Sequence, residues 1–193
     1  MKIQLIPSAA HTTTQWSGGS TTQLFIFPNG SNVSDRNFYF RISTAKVEVS
    51  ESIFTPFVGF DRTLLILDGC IQISHEGHHE RVLKPFDQDF FKGDWNTKSI
   101  GIGVDFNVIT KPEFSNTTEV LKISKGEEVA IEGSSNWLIF YLYKGAVEIN
   151  NEFLLQQSDV LVAEESEREV LKVIADEESI VILVKISVLK SQL

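Results

Sequence analysis

Cysteine is nearly absent. Cys70 stands alone in 193 residues, so no internal disulfide can staple the fold, and a small secreted disulfide framework is excluded. Proline is sparse too: five are too few for a stiff proline-rich linker, and Pro28, Pro85 and Pro112 fall where extended runs stop. No run approaches the ~20 apolar residues of a membrane helix; even VILVKISVL is interrupted by Lys185. The opening MKIQLIPSAAHTTTQW is broken by Gln4 and Pro7 and lacks the ~7–15-residue apolar core of a signal peptide. The expected compartment is the cytoplasm, with no membrane partner.

Positive charge is also in short supply. Lys and Arg number 17 against 26 Asp and Glu, a formal net charge of −9, and from Glu119 onward 14 acids face seven bases. Such a surface repels phosphate, so no nucleic-acid partner is expected, while a single cleft can still hold an anion. What is present is an ordinary globular mixture, 42% hydrophobic and 22% charged, long enough to bury roughly 70% of the unfolded chain's surface.

The hydrophobic pattern has a period of two. In YFRISTAKVEV, residues 39–49, Tyr39, Arg41, Ser43, Ala45, Val47 and Val49 alternate with Phe40, Ile42, Thr44, Lys46 and Glu48. Both sets are mixed, which predicts a strand with one face on a polar cavity. TLLILDGCIQIS places Asp68 and Gly69 between two apolar runs and predicts a hairpin. HEGHHE follows as a polar turn with Gly77 at its tip. The pattern returns about 75 residues later in NWLIFYLYKGAVEIN, residues 136–150, where Lys144 and Gly145 take the same place. FLLQQSDVLVAEES, EVLKVIA and SIVILVKISVL continue as strands, rich in β-branched residues; residues 119–130 read equally as helix or strand. A repeated barrel half explains this better than two unrelated domains. The polar PEFSNTTE stretch is the expected boundary, giving halves 1–111 and 112–193.

Several side chains invite chemistry. His75, His78 and His79 cluster in HEGHH, but a zinc or iron site needs three or four convergent ligands, and the glycine at the tip predicts rings turned to water; no metal and no cofactor is expected. Cys70 reads as a buried, inert thiol. There is no Gly-x-Ser-x-Gly elbow, no HExxH, and WSGGS lacks the Lys-Ser/Thr of a phosphate loop. In WSGGSTTQLFIF, Trp16, Gly18, Gly19, Ser20, Thr21 and Thr22 either face a ligand or form a glycine bulge that curves the sheet. Arg41, between Phe40 and Ile42, and Arg62, after Asp61, are costly inside a barrel unless paired; pairing with Asp61, Asp94 or Asp105 and binding of a substrate carboxylate are both open. Asp105 and Asn107 share one strand face.

These stretches also carry a resemblance. WSGGSTT at Trp16–Thr22, FRIS at Phe40–Ser43, FVGFDR at Phe57–Arg62, FKGD at Phe91–Asp94 and DFN at Asp105–Asn107 resemble, in order and spacing, the HutD/Ves family of cupin-like proteins, associated with histidine utilisation or environmental response. The motifs cover roughly residues 1–110. Where the family pattern carries an Asn, Gly18 stands here, and Ser20 replaces a glycine; Thr22 is retained. The resemblance implies an all-β, cupin-like double barrel (a bicupin) and a small-molecule binding or regulatory role, with formylated or carboxylated histidine-pathway metabolites as ligands.

The combined expectation is a non-catalytic protein whose first half binds a small anionic metabolite. Arg41 and Arg62 would neutralise its carboxylate, Thr22 and Asn107 would orient its polar atoms, and Trp16 would wall the cavity. Gly19, Asp61, Asp94 and Asp105 would support the site. Two other classes stay open: an isomerase or hydrolase using Asp105 or Asp94 as acid and base, and an interaction protein presenting its acidic half. A homodimer is one assembly open to such barrels.

Overall fold

Period-two alternation governs the whole chain, and nearly every run expected to be extended is a strand. The computed structural model describes residues 1–133, 135–164 and 169–189; Glu165 and Ser166, which close the FLLQQSDVLVAEES run, lie outside it. A strand, β1 (Lys2–Ile6), and one 3-10 turn at Ser8–Ala10 precede β2 (Thr12–Trp16), β3 (Gly19–Phe27), β4 (Phe40–Val47), β5 (Glu51–Ile53), β6 (Asp61–Gly69), β7 (Ile71–His75), β8 (Glu80–Leu83), β9 (Gln88–Lys92), β10 (Thr97–Ile100) and β11 (Gly103–Thr110). Then come β12 (Phe114–Ile123), β13 (Glu128–Glu132), β14 (Trp137–Lys144), β15 (Val147–Ile149), β16 (Phe153–Leu155), β17 (Val160–Glu164), β18 (Val170–Ala175) and β19 (Ser179–Val188). Residues 119–130, ambiguous in the sequence, contribute to β12 and β13. Among the described residues no helix is long and apolar enough to cross a membrane.

Two units divide these strands: Thr12–Phe114, and Met1–His11 together with Ser115–Leu193. The expected halves differ from this at the N-terminus. Residues 1–11 go with the second unit because β1 pairs antiparallel with β17 in a five-residue register, Lys2 opposite Glu164 to Ile6 opposite Val160. The other division falls within the polar 112–119 stretch, at the start of a strand.

Each unit contains the same eight-strand arrangement. In the Thr12–Phe114 unit one sheet has the order β2-β3-β4-β11-β6-β9 and the other β5-β10-β7-β8; in its counterpart the orders are β1-β17-β14-β19-β12 and β13-β18-β15-β16. Replacing β4 to β11 by β12 to β19 converts one set of pairings into the other, so the faint sequence repeat is a repeat of topology. Details recur as well. Phe86 and Ser158 both have positive φ, 73° and 72°, and their amides donate to Ile66 O and Leu142 O at 2.7 Å each.

The Asp68-Gly69 turn is not the hairpin that the sequence predicts. β6 pairs with β11 and β9, whereas β7 pairs with β8 and β10, so the chain leaves one sheet for the other at Gly69. Gly145 does the same between β14 and β15. Both have positive φ, 85° and 92°, and a Cβ would stand 2.3 Å from Ile102 O at Gly69 and 2.2 Å from Ser179 Oγ at Gly145. A Gly flanked by apolar runs therefore signals a corner here, chosen because only glycine fits backbone this close. Cys70, expected to be buried, is exposed because it sits at that corner.

The cores follow from alternation. Leu138, Phe140, Leu142, Leu161, Leu171, Val173, Val181 and Leu183 are all buried and form one cluster in the second unit. In the Thr12–Phe114 unit the apolar filling is split: Leu64, Ile66, Ile71, Ile73, Leu83 and Phe91 make one cluster, and Ile26, Phe38, Phe57, Phe60 and Ile109 another. Polar side chains occupy the inner positions that these clusters leave.

Candidate functional site

On β4 the inner row is Arg41, Ser43, Ala45 and Val47; on β11 it is Asp105, Asn107 and Ile109. Together with Thr21 and Gln23 of β3 and Arg62 of β6 they line a cavity of about 490 Å³, well within the size range of small-molecule pockets. Antiparallel register fixes who faces whom. Ile109 is opposite both Arg41 and Arg62, so the two arginines flank it on one row, about 10 Å apart at two inter-strand spacings. Asn107 is opposite Ser43, and Asp105 is opposite Ala45, whose small side chain leaves room.

The arginines meet the cavity differently. Arg41 is half-buried and directed by neighbours on its own wall: Nε donates to Gln23 Oε1 at 3.0 Å and Nη1 to Ser43 Oγ at 3.2 Å. Arg62 is buried, and its guanidinium carbon lies 4.9 Å from the Phe54 ring centroid, 5.1 Å from Phe91 and 5.7 Å from Phe57. Its one hydrogen bond to a described residue is a long contact from Nη1 to Thr55 O, 3.4 Å, and Nε has no partner. Burial pulls both guanidinium values down to about 10, opposed at Arg62 by Asp105 and reinforced by Arg41. Both remain cations at neutral pH.

Asp105 does not neutralise them outright. Burial pushes its carboxyl up to about 7 despite the pull of Arg62; Oδ1 is buried without a hydrogen-bond partner, as is Asn107 Oδ1. Three residues of the cavity lining, Arg62, Asp105 and Asn107, thus each hold one polar atom that is shut off from solvent and lacks a hydrogen-bond partner, and the Asp105 carboxyl is half-protonated near neutrality. Buried polar atoms are nearly always satisfied, so three such atoms in one wall make this hollow the candidate binding site.

Of the other residues singled out in the sequence, Trp16 lines the cavity and is 37% exposed. Thr22 does not line it: it lies one step out of phase with Thr21 and Gln23, and its Oγ1 hydrogen-bonds Thr13 Oγ1 at 2.8 Å on an exposed face. Asp61 ion-pairs with Lys92 across the β6–β9 ladder, so it does not hold an arginine. Asp94 is exposed on the β9–β10 turn, outside the lining. Gly19 is required by packing, since a Cβ there would come within 1.9 Å of Lys46 O. Sequence reasoning passed over Gln23, Phe54 and Thr55 as site residues and named Thr21 only beside Thr22 in the WSGGSTT run; the step-of-two rule from Arg41 and Asn107 through the β3–β4 pairing would have singled out Thr21 and Gln23.

A second polar group lies around HEGHH. His75, Ile73 and Ile71 form the inner row of β7, so His75 is buried rather than turned to water as expected. Its Nε2 is 2.9 Å from Asp89 Oδ2, and His79 Nε2 is 3.0 Å from Asp89 Oδ1. His78 is exposed and stacks on Trp95 with a 3.6 Å centroid separation. Burial lowers the His75 imidazole against the opposing pull of Asp89. Burial alone would raise the Asp89 carboxyl, but hydrogen bonds with both rings bring it below its ordinary value.

Two eight-strand halves of matching two-sheet topology in one chain, with a cavity in the first, define a cupin-superfamily protein. The model of the HutD family matches residues 8–182, and the chain belongs to that family. Among solved structures, PA5104 from Pseudomonas aeruginosa PAO1, a conserved protein of unknown function, is 22% identical with a TM-score of 0.83, over 97% of this chain and 100% of that one. HutD from Pseudomonas fluorescens SBW25, in its formate condition, is 18% identical with a TM-score of 0.75 over 97% and 99%. The bacterial pirin YhhW from Escherichia coli, in complex with nickel(II), is 13% identical with a TM-score of 0.72 over 95% and 98%. These likenesses are of fold. No curated protein matches. The cavity lining does not suit a metal: it offers two guanidinium cations, one carboxyl, and no imidazole or thiol.

Proposed function

We propose that the chain binds a small carboxylate-bearing metabolite in the cavity of the Thr12–Phe114 unit, without turning it over. The observation that carries this is Arg62: a buried guanidinium, boxed by three phenylalanine rings, with Nε unpartnered and no ion pair to a carboxylate among the described residues. A cation so placed is costly unless an anion joins it, and its fork suits a carboxylate. In this reading Arg41 and Arg62 clamp the carboxylate. Asn107 Oδ1 accepts from an N–H or O–H of the ligand, and protonated Asp105 donates to it. Trp16 shields the mouth. Thr22 has no role, and Thr21 and Gln23 stand in its place.

The role is regulatory and linked to histidine utilisation or environmental response, as the resemblance to the HutD/Ves family implies, and the formate condition of the Pseudomonas fluorescens structure points to a small carboxylate as probe. Formate and N-formylglutamate are therefore the first ligands to test. The reading includes cupin barrels closed around each interior, a cytoplasmic location, and no nucleic-acid or membrane partner, the net charge of −9 opposing both. Titration calorimetry with formate, N-formylglutamate and related acids should give saturable heat with the native chain and an affinity at least roughly ten-fold weaker with Arg62→Met. No heat and no thermal shift at millimolar ligand would overturn it. One observation favours a second reading. A buried carboxyl poised at about 7 suits proton transfer, so turnover lost in Asp105→Asn would make the site an isomerase or hydrolase instead.

A further inference from the structure

We propose that His75, His79 and Asp89 form a binding site for a divalent cation of the zinc class, separate from the carboxylate cavity. The three residues each offer a ligand atom, all within 4.8 Å of one another. A tetrahedral zinc with ~2.1 Å bonds spaces its ligands by ~3.4 Å, so the two His–Asp separations of 2.9–3.1 Å need widen by only a few tenths of an ångström, with the two imidazole nitrogens already within 4.8 Å of each other.

The hairpin makes this convergence. His75 N–H donates to His79 O at 2.9 Å, closing the loop around Gly77 and setting the two rings 4.6 Å apart. Asp89 comes from β9 in the other sheet, and its Oδ1 is already held by the Phe90 amide at 3.1 Å and by Arg81 Nη1 at 3.4 Å.

The second observation is the hold on the His75 ring. Thr97 Oγ1 lies 2.8 Å from Nδ1 and 3.2 Å from Trp95 O, which fixes the ring with Nε2 directed at Asp89 Oδ2, 2.9 Å away. A divalent cation would take the place of the proton these two atoms share. A ring nitrogen held by a hydroxyl on the far side is the usual support of a metal-bound imidazole. His79 is partly exposed and opens on a surface pocket edged by Glu76, Glu80 and Asn96, which provides an entry path and room for a water ligand. Two imidazoles and a carboxylate with one open position are a donor set that suits zinc, nickel or cobalt better than calcium or magnesium.

The test uses the full chain, purified without a histidine tag and stripped of metal. Equilibrium dialysis against micromolar zinc chloride, read by elemental analysis, should retain one zinc per chain. Cobalt(II) should give visible absorption and quench Trp95, which contacts both His78 and His79. His79→Gln, at a partly exposed position, and Asp89→Asn, checked by thermal melting, should each weaken retention ten-fold or more, while His78→Ala and Arg62→Met bind as the native chain does. Absence of zinc uptake by the native chain, or equal uptake by His79→Gln, would overturn the proposal. Because Arg62→Met separates the two sites, failure here is distinguishable from failure of the carboxylate reading.

Discussion

Arg62 and Asp105 line the same cavity, both buried, and among the described residues neither a hydrogen bond nor an ion pair joins them. Each feels the other through space: the guanidinium pulls the carboxyl down, burial pushes it up further, and the balance is about 7. The ordinary value is 3.8, so the folded chain holds this proton more tightly than the unfolded one. The associated stability is complete below about pH 4 and is lost as pH rises through about 7, by at most on the order of 4 kcal/mol. Denaturant unfolding between pH 5 and 8.5 should show this loss in the native chain and a flatter profile in Asp105→Asn. Carboxylate affinity should fall over the same range as an ionised Asp105 competes for Arg62. Equal slopes in both proteins would refute the assignment.

Replacing an arginine should move binding and stability in opposite senses. A charge-assisted hydrogen bond contributes ~1.5–3 kcal/mol, so Arg41→Met and Arg62→Met should each weaken carboxylate binding roughly 10- to 150-fold in calorimetry. Arg62→Met also removes a cation boxed by Phe54, Phe57 and Phe91, and an apolar side chain of similar length there should leave the melting temperature unchanged or higher. Arg62→Lys should not restore binding, since a point charge lacks the fork. A large fall in stability for Arg62→Met would mean that the guanidinium is a structural post.

The fold was legible because its signal is repetitive. Alternation in residues 39–49 and the return of an apolar-Gly-apolar pattern near Gly145 report strands and duplication directly. Gly69 misled because a glycine that admits close backbone looks, in sequence, the same as one that turns a hairpin. At the site, Arg41, Arg62 and Asn107 were readable as polar residues set in apolar strands. Thr22 was not, because the residue after Gln23 is an extra one in β3, where the β3–β4 register shifts, and facing depends on pairing as well as on count. The His75 cluster was hidden for a different reason: Asp89 lies 14 residues from His75 on a strand of the other sheet, and only the packing of the two sheets brings its side chain to the hairpin.

FKGD serves the site through backbone. Gly93 N donates to Phe60 O at 2.7 Å and Gly93 O accepts from Phe57 N at 2.6 Å, tying down the turn that leads into Arg62. A Cβ on Gly93 would lie 2.3 Å from Phe57 O, whereas one on Gly59 in the same turn meets nothing within 4 Å. Gly93→Ala should cost ~2–4 kcal/mol and lower the melting temperature by roughly 5–15 °C, with weaker carboxylate binding as Phe57 shifts. Gly59→Ala, strained only by its positive φ, should cost ~1 kcal/mol. Similar losses at both positions would show that the close approach does not matter.

The repeated units carry equivalent aspartates with unequal duties. Asp87 Oδ2 accepts from the Lys84 amide at 2.9 Å, on an exposed turn. At the matching turn, buried Asp159 accepts from the Gln156 amide at 2.9 Å through Oδ2 and, through Oδ1, from the Ser8 amide at 2.7 Å just after β1. Removing Asp159 therefore orphans two amides, one of them beside a strand that, among the described residues, pairs only along its β17 edge. Asp159→Ala should cost ~2–4 kcal/mol against ~1 kcal/mol for Asp87→Ala. Hydrogen exchange should show Lys2–Ile6 amides opening faster in Asp159→Ala while those of β14 stay protected. Uniform acceleration across both strands would mean that Asp159 supports the whole unit rather than the docking of its first strand.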